Sequence, residues 1–492
     1  MDLHREGRDR IWARIIKNSL APVAIGPRDF VVGNPPWIRW QYLSREYRSR
    51  TVHLWKKYGL FSLTGHAARL GGGEKDLSAL FVYACSDAYL RDGGTLAFVI
   101  TQTAFRAKGA SEGFRRFQVG DGAYLKVTRV DDLVEVRPFE DAGNLTAALY
   151  IKKGAPTDYP VPYHVWRHKG REHVRTTDSP RAAVDKLERT EMVATPIDDH
   201  VGPWRVARPG SVFLKGTSTY QAKIGARVDP YGVYLVRLAR GLDNGLVLIE
   251  NLPELGKTML PKVKAAIEPD LLFPAVLGRD IHAWFSQDRL ISILMVQDLA
   301  KQRGLDEDWM KRELGKTYDY LEQFKPILLA AGSTPVRELR TEGPFYSMYA
   351  VGPAAAAPYK VAWRRMGNRL ESCVLTDRFD SVLGRKLVIP IDTVSFIPVE
   401  SRREADYLCA LLNSTPIREL VASFSPGGRG FGAPSILEHL PISRYEADPQ
   451  QDHLAEVSEQ AHEKPAAFTP AHQDALDKLA AAYLTESGAV RT

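Results

Sequence analysis

Residues 30–37 are the most informative segment of this chain, and they read Phe30-Val31-Val32-Gly33-Asn34-Pro35-Pro36-Trp37. The apolar run predicts a short strand, and two adjacent prolines cannot continue the hydrogen-bonded ladder of a sheet. The tetrad, Asn34 to Trp37, is therefore expected to end that strand as a stiff loop. It holds a side-chain amide, the carbonyl oxygen of Pro35 and a large aromatic ring facing one small volume.

These three groups suit an exocyclic amino group on a planar ring. The amide oxygen of Asn34 and the carbonyl oxygen of Pro35 accept its two N–H bonds, while Trp37 lies on the ring. Because both hydrogens are held, the nitrogen lone pair points outward at an electrophile, as methylation of the adenine amino group requires. The alternative is a strand-ending turn with a buried tryptophan, since proline pairs often only punctuate a chain.

The pattern downstream of the tetrad predicts an α/β segment that reaches to about residue 155. Apolar residues at helical spacing run from Leu77 to Leu90, and residues 91–94 are typical of a helix stop and turn. The continuous apolar run 95–101 predicts a buried parallel strand. The other predicted elements are a helix through Ile11, Ile15 and Ile16, a helix at 111–118 and strands near 125–130 and 145–152. A loop at the carboxyl end of a strand is where an open α/β sheet places its site.

Length and charge favour a multidomain protein with an anionic partner. The 492 residues predict roughly two to four domains, and 44% hydrophobic with 25% charged residues is ordinary for globular chains. The net charge is +7 and the pI near 9.1. Residues 1–70, which surround the tetrad, carry 13 Lys/Arg against 5 Asp/Glu, whereas residues 446–492 carry 3 against 9. The basic end suits an approaching phosphate backbone, although charge runs are also often solvated helix faces.

Cysteine usage and the beginning of the chain predict a cytoplasmic protein without a membrane span. The three cysteines, Cys85, Cys373 and Cys409, are far apart and form neither metal spacing nor a disulfide framework. No apolar leader and no stretch of membrane-spanning length is present. The histidines at 164, 168 and 173 favour a charged loop over a metal site, so no metal is expected.

The tetrad resembles the Asn-Pro-Pro-aromatic motif of the S-adenosylmethionine-dependent amino-methyltransferases. Residues 1–155 resemble the C-terminal half of the catalytic domain of gamma-arranged adenine-N6 DNA methyltransferases, of the type IIG restriction-modification kind. Three segments match in order, namely the tetrad, Lys75 to Phe81 and Asp92 to Thr101. The resemblance implies an α/β fold, with a partial Rossmann-like methyltransferase sheet followed by an α+β target-recognition domain.

The resemblance also implies roles for single residues. Asn34, Pro35, Pro36 and Trp37 form the catalytic loop, and Asp76 with Leu77 lines the pocket of the cofactor, S-adenosylmethionine. Trp37 stacks on the extruded base and Phe139 supports it from the side. Extrusion costs a few kcal/mol of unstacking, and stacking on an aromatic returns roughly 1–3 kcal/mol per base.

The rest of the chain resembles the recognition part of type IIG enzymes more diffusely. We expect a linker at 156–200, a target-recognition domain at 201–445 that binds double-stranded DNA, and an acidic tail at 446–492 with a helix at 471–484. The segments that carry the resemblance are 220–227, 278–284, 358–364 and 407–414. The candidate DNA-binding residues are Lys223, Arg227, Arg279, Arg364 and Arg429. Arg and Lys beside aromatics suit phosphate and base contacts; the alternative is that Trp284 and Trp363 are core residues flanked by surface charge.

The glycine-rich cofactor loop of a complete enzyme is missing from this sequence on either side of the matched region. Three hypotheses remain. The chain is one portion of an adenine methyltransferase, split or truncated, that works with a polypeptide supplying the cofactor loop. Alternatively it is a non-catalytic DNA-binding or specificity subunit or a gene fragment, or it methylates an amino group of RNA or of a protein glutamine.

Overall fold

A computed structural model describes residues 25–61, 76–106, 112–119, 122–139, 144–170, 173–175, 177–197, 201–209, 216–425 and 431–489. The chain divides into two compact units, Met1–Phe213 and Leu214–Thr492. The helix expected through Ile11, Ile15 and Ile16 lies outside the described residues, as do Lys75 and Arg429. Among the described residues, none of the helices combines the length and the apolar composition that crossing a bilayer requires.

The first unit is built on a mixed sheet. Its strands are β1 (Arg28–Gly33), β2 (Leu90–Thr101), β3 (Gln118–Val119), β4 (Ala123–Asp132), β5 (Thr146–Lys153), β6 (Val161–His168), β7 (Leu187–Pro196) and β8 (Trp204–Ala207). They lie in the order β1-β2-β5-β4-β6-β7-β8, with β3 paired to β4. β1 runs parallel to β2, and β4 parallel to β6, while β5 is antiparallel to both of its neighbours. The carboxyl ends of β1, β2, β4 and β6 therefore share one edge of the sheet.

Five α-helices of the described residues belong to this unit, and all but the last contribute to the core of the sheet. They are α1 (Arg45–Lys57), α2 (Leu77–Ala88), α3 (Thr103–Arg106), α4 (Glu112–Arg115) and α5 (Pro180–Asp185). The side chains on one face of β2, such as Leu96 and Phe98, are buried with Leu80 and Tyr83 of α2. Gly33 ends β1 opposite Phe98, and a Cβ at Gly33 would lie 3.0 Å from the Phe98 ring, so glycine permits the close approach.

The expected linker over 156–200 requires correction, because this segment adds β6 and β7 to the sheet. Polar residues and prolines suggested a connection, yet Val161 and Tyr163 are fully buried and β6 extends the sheet beside β4. The first unit consequently runs to Phe213 rather than to residue 155. Two smaller differences occur within 91–118. Arg91 to Gly94 continue β2 instead of turning, and the helix expected at 111–118 is the short α4.

The second unit combines short strands with helices. Its strands are β9 (Lys223–Ile224), β10 (Leu235–Gly241), β11 (Val247–Asn251), β12 (Lys264–Ile267), β13 (Leu272–Val276), β14 (Ile281–His282), β15 (Phe285–Ser286), β16 (Ser292–Leu294), β17 (Gln297–Asp298), β18 (Arg303–Gly304), β19 (Tyr359–Arg364), β20 (Ser372–Leu375), β21 (Asp377–Asp380), β22 (Gly384–Leu387), β23 (Ile389–Pro390) and β24 (Val394–Val399). The two larger sheets have the orders β12-β11-β10-β16-β13-β23 and β20-β19-β24-β9.

The helices of the second unit are α6 (Tyr231–Tyr234), α7 (Glu307–Glu313), α8 (Gly315–Glu322), α9 (Lys325–Ala330), α10 (Thr334–Thr341), α11 (Arg402–Asn413), α12 (Thr415–Phe424), α13 (Pro449–Glu463) and α14 (Pro470–Ala489). α6 leads directly into β10, and β11 follows after a turn.

The acidic end of the chain is part of the second unit rather than a separate tail. α13 was not expected, and the helix expected at 471–484 lies within α14. Apolar residues of both helices, including Leu454 and Leu484, are fully buried, and the hydroxyl of Tyr483 is 2.8 Å from that of Tyr407 in α11. The negative charge therefore lies on the outer faces of helices that are packed through their apolar sides.

His462 in α13 is a buried polar link between this helix and β20. Its Nε2 accepts a hydrogen bond from the backbone N–H of Val374 at 2.9 Å, which leaves Nδ1 as the donor to the carbonyl oxygen of Ser458 at 2.7 Å. Burial lowers the pKa of His462, against the opposing effects of the Ser458 hydrogen bond and the Asp406 carboxylate. The folded chain thus favours the neutral ring, because a protonated Nε2 cannot accept from Val374.

Acidification should weaken the second unit through His462. A folded-state pKa below the ordinary 6.5 means that this stabilisation is present above pH 6.5 and is lost as the pH falls through the lowered pKa. We expect the urea midpoint of the wild type to drop more between about pH 7.5 and 5.5 than that of His462→Gln. His453→Gln, an exposed position on the same helix, is the matched control and should keep the wild-type pH dependence. Equal slopes for the wild type and His462→Gln would contradict the assignment.

Candidate active site at the end of strand β1

The tetrad lies directly after β1, at the edge where β2 and β4 also end. Asn34 is exposed, Pro35 is buried and Trp37 is half-buried. The indole Nε1 of Trp37 donates to the carbonyl oxygen of Val99 in β2 at 3.1 Å. This bond links the tetrad to β2 beyond the point where the prolines end the hydrogen bonds between β1 and β2. Among the described residues, none makes a hydrogen bond to the Asn34 amide, so the amide is available to a ligand.

Phe139 is brought against Trp37, although 101 positions separate them in the chain. Their ring centroids are 4.9 Å apart at an interplanar angle of 74°, an edge-to-face contact. Phe139 remains 38% exposed, so part of its ring faces outward beside the tetrad. Such pairs contribute about 0.5–1.5 kcal/mol beyond their buried area. The two aromatic residues selected from the sequence thus form one wall.

The loop that carries Phe139 is fixed by Asp132, at the carboxyl end of β4. One carboxylate oxygen of Asp132 accepts from the backbone N–H of Val134 at 3.0 Å, which starts the loop. The other accepts from Gln102 Nε2 at 3.0 Å and from the Tyr163 hydroxyl at 2.5 Å. All three side chains are almost fully buried. Burial and the Asp132 charge raise the pKa of Tyr163 well above its ordinary value, so its hydroxyl stays a donor.

A second tie to the same loop comes from the end of β6. The Nε2 of His168 lies 3.1 Å from the carbonyl oxygen of Val136, and Arg167 forms an ion pair with Glu135 at 2.8 Å. Asp132, Gln102 and β6 were not predicted, because they belong to no recognisable motif in the sequence. The sequence signal that could have identified them is a polar residue placed directly after a buried apolar run, at the end of a predicted strand.

Asp76 and Leu77 lie next to the tetrad in space. The backbone N–H of Leu77 donates to the carbonyl oxygen of Ile38 at 2.9 Å, and Arg39 and Asp76 form a backbone bridge. Asp76 caps α2, since its Oδ1 accepts from the backbone N–H and the hydroxyl of Ser78 at 2.8 and 2.6 Å. Burial raises the pKa of the Asp76 carboxyl, while the Ser78 bonds and the Arg39 charge act to lower it.

The sequence assigns Asp76 and Leu77 to one side of a cofactor pocket, and their chemistry is compatible with that assignment. A capping carboxylate at a helix start and a buried Leu77 can line a site for a cationic ligand such as S-adenosylmethionine. Among the described residues of the first unit, the tetrad and the start of α2 include no glycine-rich loop that could bind the remainder of S-adenosylmethionine. No group of three or more potential metal ligands occurs in the described part of the chain.

The basic residues selected as DNA contacts have different surroundings. Lys223 is exposed on β9 and lines a cavity of about 310 Å³, and Arg227 is exposed with its guanidinium 5.8 Å from the Tyr349 ring centre. Arg279 is 52% exposed. Arg364 is held by the carbonyl oxygen of Ile281 at 2.7 Å. Arg364 therefore supports the turn after β14. Lys223, Arg227 and Arg279 are solvent-exposed, although Arg279 lies 3.9 Å from the Asp280 carboxylate and Lys223 lies 3.5 Å from Gln221. Arg429 lies outside the described residues.

The two tryptophans of this region belong to the core. Trp363 is fully buried and its Nε1 donates to the carbonyl oxygen of Gly432 at 3.0 Å. Trp284 is 4% exposed and packs on His462 and Phe468. The alternative interpretation, core residues flanked by surface charge, is the one that the structure supports for both.

Comparison with known proteins finds likeness in structure only. No protein-family model matches this chain, and no curated protein sequence matches it. The fold is similar to the type IIL restriction-modification enzyme MmeI in complex with DNA, with a TM-score of 0.52, 12% identity and coverage of 94% of this chain and 55% of that one. Weaker matches are the type IIG restriction endonuclease BpuSI (TM-score 0.29, 13% identity, 95% and 54% covered) and a nuclease-deletion mutant of the type ISP enzyme LlaGI with a DNA substrate mimic (0.43, 11%, 91% and 42%).

The likeness to MmeI shows a shared fold. Over 94% of its length this chain has a mixed α/β fold similar to that of MmeI, and it spans about half the length of the structures that it matches.

The hydrogen bonds that Asp132 accepts from Gln102, Tyr163 and Val134 form the Asp132 cluster. Removing the Tyr163 hydroxyl tests this cluster. In Tyr163→Phe the buried Asp132 carboxylate loses a short hydrogen bond, and bonds to charged groups are worth about 1.5–3 kcal/mol. We expect the free energy of unfolding to fall by that amount. Tyr150→Phe is the control, because Tyr150 is half-buried in the same sheet and its hydroxyl has no hydrogen bond with the described residues. A change below about 0.5 kcal/mol for Tyr163→Phe would rule out a supporting role for this bond.

Proposed function

We propose that this chain is the catalytic-loop and target-recognition portion of an S-adenosylmethionine-dependent methyltransferase that modifies adenine N6 in DNA. It acts in the cytoplasm, in a restriction-modification or related defence system, and works with a polypeptide that supplies the cofactor loop. The observation that carries the proposal is the exposed Asn34 amide beside the Trp37–Phe139 wall, at the end of a strand. A plain strand-ending turn requires neither an exposed amide at Asn34 nor a second aromatic ring against Trp37.

The proposed mechanism follows from what each group does to an adenine amino group. The Asn34 amide oxygen and the Pro35 carbonyl oxygen accept the two N–H bonds, which localises the lone pair on the nitrogen. Trp37 is anchored by Val99, so its position is set before the base arrives. Phe139 borders the same space. S-adenosylmethionine, when bound, supplies the electrophilic methyl group.

The second unit is proposed as the target-recognition domain. Support comes from the exposed charges of Lys223, Arg227 and Arg279 and from the fold shared with MmeI, whose structure contains DNA. Such charges position a phosphate backbone and make binding depend on salt. Adenine is chosen over other amino acceptors on the resemblance of the tetrad and its neighbouring segments.

A second candidate is a non-catalytic DNA-binding or specificity subunit. It is favoured by one observation, that the described residues supply only one side of a cofactor pocket. This candidate predicts salt-sensitive duplex binding that is indifferent to Asn34, and no methyl transfer under any condition.

The first test is the substitution Asn34→Ala in the chain combined with a cofactor-binding polypeptide. Loss of one of two groups that orient the amino nitrogen should slow methyl transfer from labelled S-adenosylmethionine to duplex DNA by about 100-fold or more. DNA affinity should be unchanged. Asn368→Ala, at an exposed position in the second unit, is the matched control and should transfer methyl groups at the wild-type rate. Wild-type transfer by Asn34→Ala would refute the proposed role of the tetrad.

The second test separates the cap at Asp76 from a cofactor contact. Asparagine caps helices about as well as aspartate, so Asp76→Asn should change the unfolding free energy by less than about 0.5 kcal/mol, whereas Asp76→Ala costs about 0.5–2. If the carboxylate binds cofactor, Asp76→Asn should weaken binding of labelled S-adenosylmethionine by about 10-fold. Asp306→Asn, the equivalent cap of α7, is the control. Unchanged cofactor binding in Asp76→Asn would leave Asp76 with the capping role alone.

A further inference from the structure

Strand β1 forms an open edge of the first sheet. β2 occupies one of its sides, and among the described residues no strand pairs with the other. Natural edge strands are usually protected by charges, bulges or covering segments. The start of β1 has such protection, namely a register shift after Arg28 and an ion pair between Asp29 and Arg91. The following residues, Phe30 to Gly33, carry no charge.

The same strand leaves two large apolar side chains uncovered. Phe30 is 74% exposed and Val32 is 79% exposed, and both point to the same face because side chains alternate along a strand. Across the β1–β2 pairing they lie opposite Thr95 and Ala97, which are half-buried. On the other face of β2, Leu96 is fully buried under the helices. One face of the sheet at β1 and β2 therefore lacks the cover that the other has.

The rest of that face, on β4 and β6, carries polar side chains. In β4 and β6, Asp131 binds Arg129 at 3.1 Å, His164 at 3.0 Å and the indole N–H of Trp166 at 3.2 Å. These polar side chains bind one another through the Asp131 carboxylate. The apolar, uncovered part is confined to β1 and β2, next to the tetrad, with Lys152 of β5 exposed at its border.

We propose that this open edge and face, defined by Phe30, Val32 and Ala97, is the docking surface for the polypeptide that carries the cofactor loop. The inference rests on the proposed function. The partner adds a strand beside β1, covers Phe30 and Val32 with apolar side chains, and places an acidic residue near Lys152.

Geometry favours this occupant over a second copy of the chain. A parallel strand beside β1 ends at the sheet edge that holds Asn34, where a methyl donor has to arrive. Symmetric pairing of β1 with a second β1 is antiparallel and would place the two tetrads at opposite ends. MmeI, which shares this fold, has further chain beyond the matched part, since only 55% of its chain is covered.

The test uses the full chain and, as the probe, a separately expressed polypeptide that carries a glycine-rich S-adenosylmethionine loop directly after a β-strand. We expect a one-to-one complex by sedimentation. The double variant Phe30→Asp/Val32→Asp should bind about 100-fold more weakly, because it places two charges on a surface that binding desolvates. Phe379→Asp is the matched control, since Phe379 is 70% exposed on β21 of the second unit, and it should bind as the wild type does. Thermal melting of each variant checks that the fold is retained.

The other outcomes separate this proposal from the proposed function. Failure of the wild type to bind, or equal binding by the double variant, overturns the docking surface. So does a wild-type dimer that the double variant abolishes, or a Val32→Cys thiol that a maleimide reaches only after residues 1–24 are removed. If the complex forms through β1 and Asn34→Ala binds the partner normally, but no methyl group reaches DNA, the docking surface stands and the methyltransferase function falls.

Discussion

The proline pair at the end of β1 is the constraint on which the rest of the site depends. Pro35 and Pro36 cannot extend the ladder with β2, so the chain leaves the sheet there, and the hydrogen bond from Trp37 to Val99 fixes the direction in which it leaves. The next residues then meet the start of α2, where Ile38 accepts from Leu77. A flexible loop at this point would need ligand binding to order it. The proline pair lowers that cost in advance, because fewer backbone conformations have to be lost.

The second wall of the site depends on a buried carboxylate. Asp132 is costly to bury as an ion, and two things offset that cost. The Arg106 guanidinium lies 3.7 Å away, and hydrogen bonds come from Gln102, Tyr163 and the backbone of Val134. These donors come from separate elements, so the carboxylate joins β2, β4 and β6 at one edge. The position of Phe139 against Trp37 therefore depends on β6, a strand that lies beyond the segment resembling a catalytic domain.

The elements with an uninterrupted apolar signature could be predicted from the sequence. β1, α2, β2, β4 and β5 were expected near their observed positions, and so was the proximity of Phe139 to the tetrad. β6 and β7 were missed because they mix the buried Val161 and Tyr163 with exposed charges, a pattern that resembles a linker. The Asp132 cluster was missed for another reason, since hydrogen bonds between residues about 30 positions apart leave no local pattern. Arg364 shows the opposite case. A positive charge beside an aromatic residue suggested a phosphate contact, whereas in the structure the guanidinium donates to the carbonyl oxygen of Ile281 and supports a turn.

The open edge of β1 and the exposure of Asn34 are two consequences of one geometry. A strand in the middle of an α/β sheet has both sides paired and both faces covered, and its carboxyl end then opens into a crevice between neighbouring loops. Here the loops after β2 and β4 form one side of that crevice, and the side beyond β1 is empty among the described residues. The apolar character of Phe30 and Val32 is what an interior strand needs and what a solvent-facing edge avoids. The residues of β1 are those that an interior strand needs, and this mismatch with its position at the edge of the sheet is the physical basis of the proposed docking surface.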